Sequence, residues 1–196
     1  MVEERAKTLE NMKANDNTEW VMRLIDRYYP EGSELRRIFL THSRAVCERA
    51  LQICDRHPEL HLDRQFVEEA AMLHDIGIFE CDAPEIHCFG HEPYLLHGRI
   101  GATLLRAEGY PRHARVCERH TGAGLSKEAI IAGKLPLPAE DFLPESLEEK
   151  VVCYADKFYS KSKLERVKTT AEAERSLARF GVDGLARFKE WETMFG

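Results

Sequence analysis

Histidine and aspartate residues recur on the apolar faces of helices predicted along this chain, and this pattern constrains the fold most strongly. His42, for example, falls on a stripe with Ile38, Phe39 and Val46, at a spacing that is typical of one helical face. An imidazole or carboxylate that faces a core is unfavourable unless another group pairs with it. The sequence therefore predicts that the helices bring these polar groups together at one internal site.

The central feature of the pattern is the segment Leu73-His74-Asp75-Ile76-Gly77. An adjacent His and Asp at a helix end can both reach one metal ion, and the second carboxylate oxygen can bridge to another ion. A single core-facing His is more often a hydrogen-bonded core residue. The joint pattern favours a metal site instead, because further candidates fall on or at the end of predicted helices: His42, His97, His120 and Asp156. Such a set of nitrogen and oxygen ligands suits iron, manganese or a similar divalent ion better than structural zinc.

The periodicity predicts an all-α fold. Helix starts are expected at Asn17 or Thr18, Ser33, Asp63 and Ser146, because Ser, Thr, Asp and Asn are favourable N-caps. Gly77 is expected to end the third helix. Further helices are predicted over about 95–108, up to His120, over 126–132, and as a broken pair over 169–193. Segment 79–96 is predicted to be an irregular lid over the metals.

The length of 196 residues fits one domain. We expect residues 1–16 to be a flexible or frayed arm and residues 17–196 to form a single helical domain. The tail helices are predicted to pack on its core, with a homodimer face as the alternative use of their apolar residues, namely Leu177, Phe180, Leu185, Phe188 and Trp191.

The charge and composition of the chain limit the partners and the location that we expect for it. The formal net charge of −6 argues against a general nucleic-acid binder, which needs surplus positive charge. No apolar run approaches the roughly 18 residues of a membrane span, and the charged start is unlike a signal peptide. Six cysteines without a CxxC pair indicate reduced thiols and a cytoplasmic protein.

The remaining histidines are given structural interpretations. A small zinc site is disfavoured for Cys81, His87, Cys88 and His91, because their spacing matches no standard finger. The other three histidines are interpreted as surface residues beside turns, namely His57, His61 and His113.

The motifs resemble the HD-domain superfamily of helical metal-dependent phosphohydrolases, whose pattern is H…HD…D. The similar segments are Thr41–Val46, Ala71–Gly77 in the HDIG form, and Tyr154–Lys157, within about residues 35–165. The resemblance implies a first metal held by His42, His74, Asp75 and Asp156. It also implies catalytic roles for His74 and Asp75 in hydrolysis by a metal-activated water.

The positions of His97 and His120 resemble the subset of this superfamily with two metals. By that resemblance Asp75 bridges to a second ion, which His97 and His120 also bind, and iron is favoured over manganese, magnesium and zinc. The HD proteins that hydrolyse diadenosine tetraphosphate are similar around residues 96–101 and 119–122. This chain departs from them in its longer 122–148 segment.

A basic run follows Asp156 and supplies candidate phosphate ligands. Lys157, Lys161 and Lys163 are predicted to bind the phosphates of a small substrate, with a nucleotide favoured. The alternative is a solvated helix end.

The leading hypothesis is therefore a metal-dependent phosphohydrolase acting on a nucleotide or another small phosphate ester. A diiron oxygenase with the same ligand set is the first alternative, and a nucleotide-binding regulatory module is the second.

Overall fold

The structure, a computed structural model, describes residues 18–179 and 181–196. Over these residues the fold is all-α, as predicted, with a helix over 18–28 (α1) followed by eight more. These are α2 (Glu34–Arg56), α3 (Arg64–Leu73), α4 (His97–Ala107), α5 (Pro111–Arg119), α6 (Lys127–Gly133), α7 (Leu147–Asp156), α8 (Thr170–Ala178) and α9 (Val182–Phe195). The predicted arm over 1–16, and Phe180, lie outside the described residues.

The predicted helix starts are confirmed by the capping contacts. Ser33, Asp63 and Ser146 each accept a hydrogen bond through the side chain from the backbone N–H three residues further on. Such a bond satisfies one of the four N–H groups that a helix leaves free at its start. These caps fix where α2, α3 and α7 begin, and these three helices carry His42, His74 and Asp156 into the interior.

The predicted end of α3 at Gly77 is wrong. The helix ends at Leu73, and a 3₁₀ turn over Ile76–Glu80 follows. Gly77 serves close packing, because a Cβ placed on it would overlap the backbone atoms His97 O and Gly101 N. The glycine thus lets the His74–Asp75 turn lie directly against α4.

Segment 79–96 is more ordered than the irregular lid predicted for it. It contains β1 (Cys81–Ala83), β2 (Cys88–Phe89) and β3 (Glu92–Pro93), in the sheet order β2-β1-β3. β1 pairs antiparallel with β2, with Asp82 opposite Phe89, and parallel with β3, with Cys81 opposite Glu92. Strands of two or three residues are too short to show the alternation that identifies a strand in a sequence.

Two apolar clusters form the core. The first contains the second half of α2, α3, α7 and the tail helices α8 and α9. The second contains α1, the first half of α2, the 76–88 region, α4 and α5. His42 lies on α2 between Phe39 of the second cluster and Val46 of the first, and Leu73 of the second cluster precedes His74. The candidate ligands are therefore positioned where the two clusters meet.

The tail helices contribute apolar residues to the first cluster. Leu177, Phe188 and Trp191 are buried in the first cluster, whereas Leu185 is half-buried. None of the described helices combines the length and apolar character needed to cross a bilayer.

We expect Gly98→Ala to destabilise the protein by about 1–3 kcal/mol, the usual range for overpacking. Gly98 on α4 faces α5 so closely that a Cβ would overlap the backbone oxygen of Cys117. Because the overlap is with backbone, α4 and α5 must move apart. The free energy of unfolding, measured by denaturant titration, checks this expectation.

The matched control is Gly184→Ala on α9. The nearest atom to a Cβ there is Ala123 Cβ at 3.9 Å, so this variant should be as stable as the parent or up to about 1 kcal/mol more stable. Equal stabilities for the two variants would contradict the close α4–α5 contact.

Candidate metal centre

Four of the candidate ligands converge where α2, the end of α3 and the end of α7 meet. His42 Nε2 lies 3.1 Å from Asp75 Oδ2 and 3.1 Å from Asp156 Oδ1. His74 Nε2 lies 3.0 Å from the same Asp75 oxygen and 3.3 Å from His42 Nε2. One ligand atom from each of the four residues lies within 4.8 Å of the others. These atoms form the first ligand group.

A second ligand group lies on the other side of Asp75. Its second oxygen, Oδ1, is 3.4 Å from His97 Nε2 and 3.3 Å from His120 Nε2. The two imidazole nitrogens are 3.0 Å apart. The carboxylate of Asp75 therefore belongs to both groups, one oxygen to each, and it is fully buried.

Helix ends orient three of the imidazole rings. His74 Nδ1 donates to Ala71 O at 2.7 Å, His97 Nδ1 to Tyr94 O at 2.6 Å, and His120 Nδ1 to Cys117 O at 2.7 Å. Each acceptor lies three residues earlier. Ala71 O and Cys117 O belong to the last turns of α3 and α5, where carbonyl groups lack a helical partner, and Tyr94 O also accepts from the backbone N–H of His97 in a 3₁₀ turn. A carbonyl only accepts, so Nδ1 carries the proton and Nε2 points into the site as a potential ligand.

The arrangement fits a bound cation. Because Nδ1 carries the proton on His97 and on His120, the Nε2 atom of each neutral ring has only a lone pair. These two nitrogens face each other and Asp75 Oδ1, so no proton lies between the three atoms to form a hydrogen bond. Oδ1 of Asp75 is buried and has no hydrogen-bond partner among the described residues. A divalent ion held by His and carboxylate ligands would satisfy these facing groups.

Neighbouring positive charge keeps the two carboxyl groups ionised. Burial raises the pKa of Asp75 and of Asp156. The pKa of Asp75 nevertheless lies well below its usual range because of Lys161 and His74, and the pKa of Asp156 does so because of Lys157 and His42. Both side chains are therefore available as anionic ligands at neutral pH.

The histidines differ from one another in basicity. Burial lowers the pKa of His97 to about 3 and also lowers the pKa of His120. Both rings are therefore neutral, which is the form that binds a metal. Burial also opposes the charge on His74, but Asp75 and Asp156 raise its pKa to about 9. A metal bound in the first group would have to displace that proton.

The three predicted phosphate ligands lie at different depths. Lys161 Nζ is 2.5 Å from Asp75 Oδ2, and Lys157 Nζ is 2.7 Å from Asp156 Oδ2 and donates to His120 O at 2.9 Å. Lys163 is exposed and lines an outer cavity. The structure thus brings Lys157 and Lys161 to the ligand groups and leaves Lys163 at the surface.

The interpretation of His113 as a surface residue is wrong. His113 is buried, and its Nε2 lies 3.0 Å from Glu69 Oε2. Trp20 Nε1 donates to the other oxygen of Glu69 at 3.3 Å. Because these partners come from α1 and α3, the spacing around His113 in the sequence contains no sign of them.

Tyr29 and Tyr94 support the site and were missed at the sequence level. Tyr29 is fully buried, and its hydroxyl donates to Ile76 O at 2.8 Å, directly after the His-Asp pair. The ring of Tyr94 stacks on His97, with centroids 4.7 Å apart. Neither tyrosine stands in a pattern that sequence reasoning could have used.

Comparison with known proteins gives one family. The HD domain family model matches residues 39–160, which include every residue of the two ligand groups. No solved structure matches the chain significantly.

Two tRNA methyltransferases and one uncharacterized protein are among the curated proteins that are similar to this chain. A tRNA (cytidine(56)-2'-O)-methyltransferase of Picrophilus torridus is 33% identical over 132 residues, and one of Thermoplasma volcanium is 30% identical over 140 residues. An uncharacterized protein of Methanocaldococcus jannaschii is 37% identical over 118 residues. The match to the Picrophilus torridus protein covers 67% of this chain and 34% of that protein, and the match to the Thermoplasma volcanium protein covers 71% and 36%. The match to the Methanocaldococcus jannaschii protein covers 59% of this chain and 62% of that protein. This chain therefore spans less than two thirds of the length of each relative.

Divalent metal should raise the thermal stability of this protein, because an ion that binds only the folded state stabilises it by about 2.7 kcal/mol at a hundred times its dissociation constant. We expect the increase in Tm to be lost in Asp75→Ala, which removes a ligand from both groups. His91→Ala should keep the full increase, because His91 is exposed and outside both groups. Thermal melts with Mn²⁺ and with a chelator measure the difference. An equal increase in both variants would contradict the site.

Proposed function

Because this chain belongs to the HD domain family, we propose that it is a phosphohydrolase that uses divalent metal to cleave a nucleotide or another small phosphate ester. The family suggests the reaction class. The observation that supports phosphate chemistry here is the placement of two largely buried ammonium groups, of Lys157 and Lys161, against carboxylates of the ligand groups. Ammonium groups beside a metal site suit the charge of a phosphoryl group.

A metal bound by these residues would lower the pKa of a water molecule and offset the charge of the phosphoryl oxygens. The residues of the chain supply the rest. Lys161 donates hydrogen bonds to a phosphoryl oxygen and so orients the phosphorus. The ionised carboxylate of Asp75 accepts the proton of the attacking water, and this proton passes to the oxygen that leaves the phosphorus. The phosphorus–oxygen ester bond breaks, and the products are inorganic phosphate and an alcohol.

We propose that both ligand groups hold an ion, with Asp75 between them and iron as the favoured metal. His74 has a second role, because its ring keeps Asp75 Oδ2 positioned at 3.0 Å. His97 and His120 supply only imidazole nitrogens to the second group, and their low basicity leaves these nitrogens free to bind.

We propose a free nucleotide as substrate rather than a polynucleotide. Two relatives are named as enzymes that act on tRNA, and a nucleotide is the unit that a free substrate would share with tRNA. The match covers about a third of those chains, so methyl transfer is not proposed for this one. The net charge of −6 disfavours a long phosphate backbone as ligand.

Elemental analysis should give a metal content near two per chain for the purified protein. His97→Ala removes a ligand from the second group alone, so its content should fall towards one. His91→Ala again serves as the control and should retain two. A content near one in the parent protein would contradict the two-ion proposal while leaving a one-metal hydrolase intact.

Lys161→Ala should raise KM for a phosphorylated substrate by about 10- to 100-fold, the equivalent of one charge-assisted hydrogen bond. Lys163→Ala should change KM by less than about threefold, because an exposed charge is screened by water. Lys127→Ala on α6, exposed and outside the ligand groups, is the control.

Steady-state kinetics on a panel of phosphate esters measures these effects, and metal analysis of each variant separates lost substrate binding from lost metal. An unchanged KM in Lys161→Ala at full metal content would remove this lysine from the substrate site. Oxygen consumption without phosphate release would replace the hydrolase proposal with the oxygenase alternative.

A further inference from the structure

Two neighbouring cavities lie beside the first ligand group and share lining residues. The inner cavity, of about 260 Å³, is lined by Asp156 and Lys161 together with Tyr94, Tyr159 and Glu85. The outer cavity, of about 420 Å³, is lined by the 161–166 segment and by residues of α2. Three residues, Glu85, Lys161 and Ser162, line both cavities. These shared residues mark the junction between the inner cavity, which reaches Asp156, and the outer cavity.

The charges at this junction are of opposite sign. Lys161 lies on the side of the metal centre, with its ammonium group against Asp75. Glu85 is exposed, and among the described residues its carboxylate has no hydrogen bond or ion pair. A phosphoryl group at the metal centre therefore meets a positive charge first. A group attached to it that extends into the outer cavity would pass the carboxylate of Glu85.

The outer cavity does not offset that negative charge. Arg37 is held by Glu34, and Arg166 is held by Glu172. Lys163 and Glu165 also line the outer cavity, and their charges have opposite signs. Glu85 is therefore the carboxylate at the junction that has no ion-pair partner among the described residues.

We infer that Glu85 is a specificity residue that disfavours substrates with a second phosphate next to the one that is hydrolysed. This inference rests on the proposed function. A carboxylate repels a neighbouring phosphate, whereas it accepts hydrogen bonds from hydroxyl groups such as those of a ribose. The preferred substrate is accordingly a phosphate monoester with an uncharged, hydroxyl-bearing remainder, such as a nucleoside monophosphate. Nucleoside diphosphates and dinucleoside polyphosphates are disfavoured.

The test compares AMP with ADP in the metal-loaded protein and in its Glu85→Gln variant. Removing one like charge near the second phosphate should lower the ratio of kcat/KM for AMP to that for ADP by about 3- to 10-fold, the effect expected for a solvent-exposed pair of charges. Glu190→Gln, an exposed carboxylate on α9 away from both cavities, should leave the ratio unchanged. An unchanged ratio in Glu85→Gln, or an equal change in both variants, would overturn the inference.

A binding measurement makes the test independent of turnover. The probe is α,β-methylene-ADP, whose bridging carbon resists hydrolysis. In calorimetric titration it should bind Glu85→Gln about 3- to 10-fold more tightly than it binds the parent protein. If no phosphate ester is turned over, the proposed function fails while this titration still tests Glu85. If turnover occurs and the probe binds both proteins equally, the role of Glu85 alone is wrong.

Discussion

The buried carboxylate of Asp75 is the constraint on which the rest of this structure depends. An isolated ionised carboxylate is costly to bury, and it persists only where charges or metal ions compensate it. Here His42, His74 and Lys161 face Oδ2, whereas Oδ1 faces the neutral rings of His97 and His120, where a metal ion would supply the positive charge. The elements that carry these residues must meet at one point. The two apolar clusters of the core pack on either side of that point.

Hydrogen bonds at helix ends and close packing at glycines determine the geometry of this meeting point. The ends of α3 and α5 leave carbonyl groups that the next imidazole can reach, and the bonds to Ala71 O and Cys117 O fix the rings of His74 and His120. Glycine then sets the distance between helices, because Gly77 and Gly98 allow backbone to approach backbone where any side chain would overlap. The ligand positions therefore follow from helix termination and close packing together, and the His-Asp pair alone does not determine them.

Sequence reasoning predicted the helices and the residues that converge, because both depend on local signals. Ser33, Asp63 and Ser146 cap their helices as expected, and apolar spacing placed His42 and Asp156 inward. Contacts between distant segments were missed. The burial of His113 depends on Glu69, the three short strands depend on pairing across residues 81–93, and Gly77 is explained by α4 rather than by α3. The ligand roles, the two-ion count and the single-domain boundary remain predictions.

The residues that could be predicted from the sequence belong to the candidate metal centre, whereas those that could not be predicted line the cavities beside it. The ligand groups stand on or beside the core helices, whose packing leaves little freedom, so a sequence pattern suffices to indicate them. The cavity walls come largely from connecting segments, with Glu85 and Tyr94 from the 3₁₀ turns before α4 and Ser162 from the loop after α7. Such segments tolerate change without loss of the core. Proteins with the same His and Asp groups can therefore share a metal chemistry and differ in substrate. The identity of the substrate has to be argued from the charges at the cavity junction rather than from the ligands.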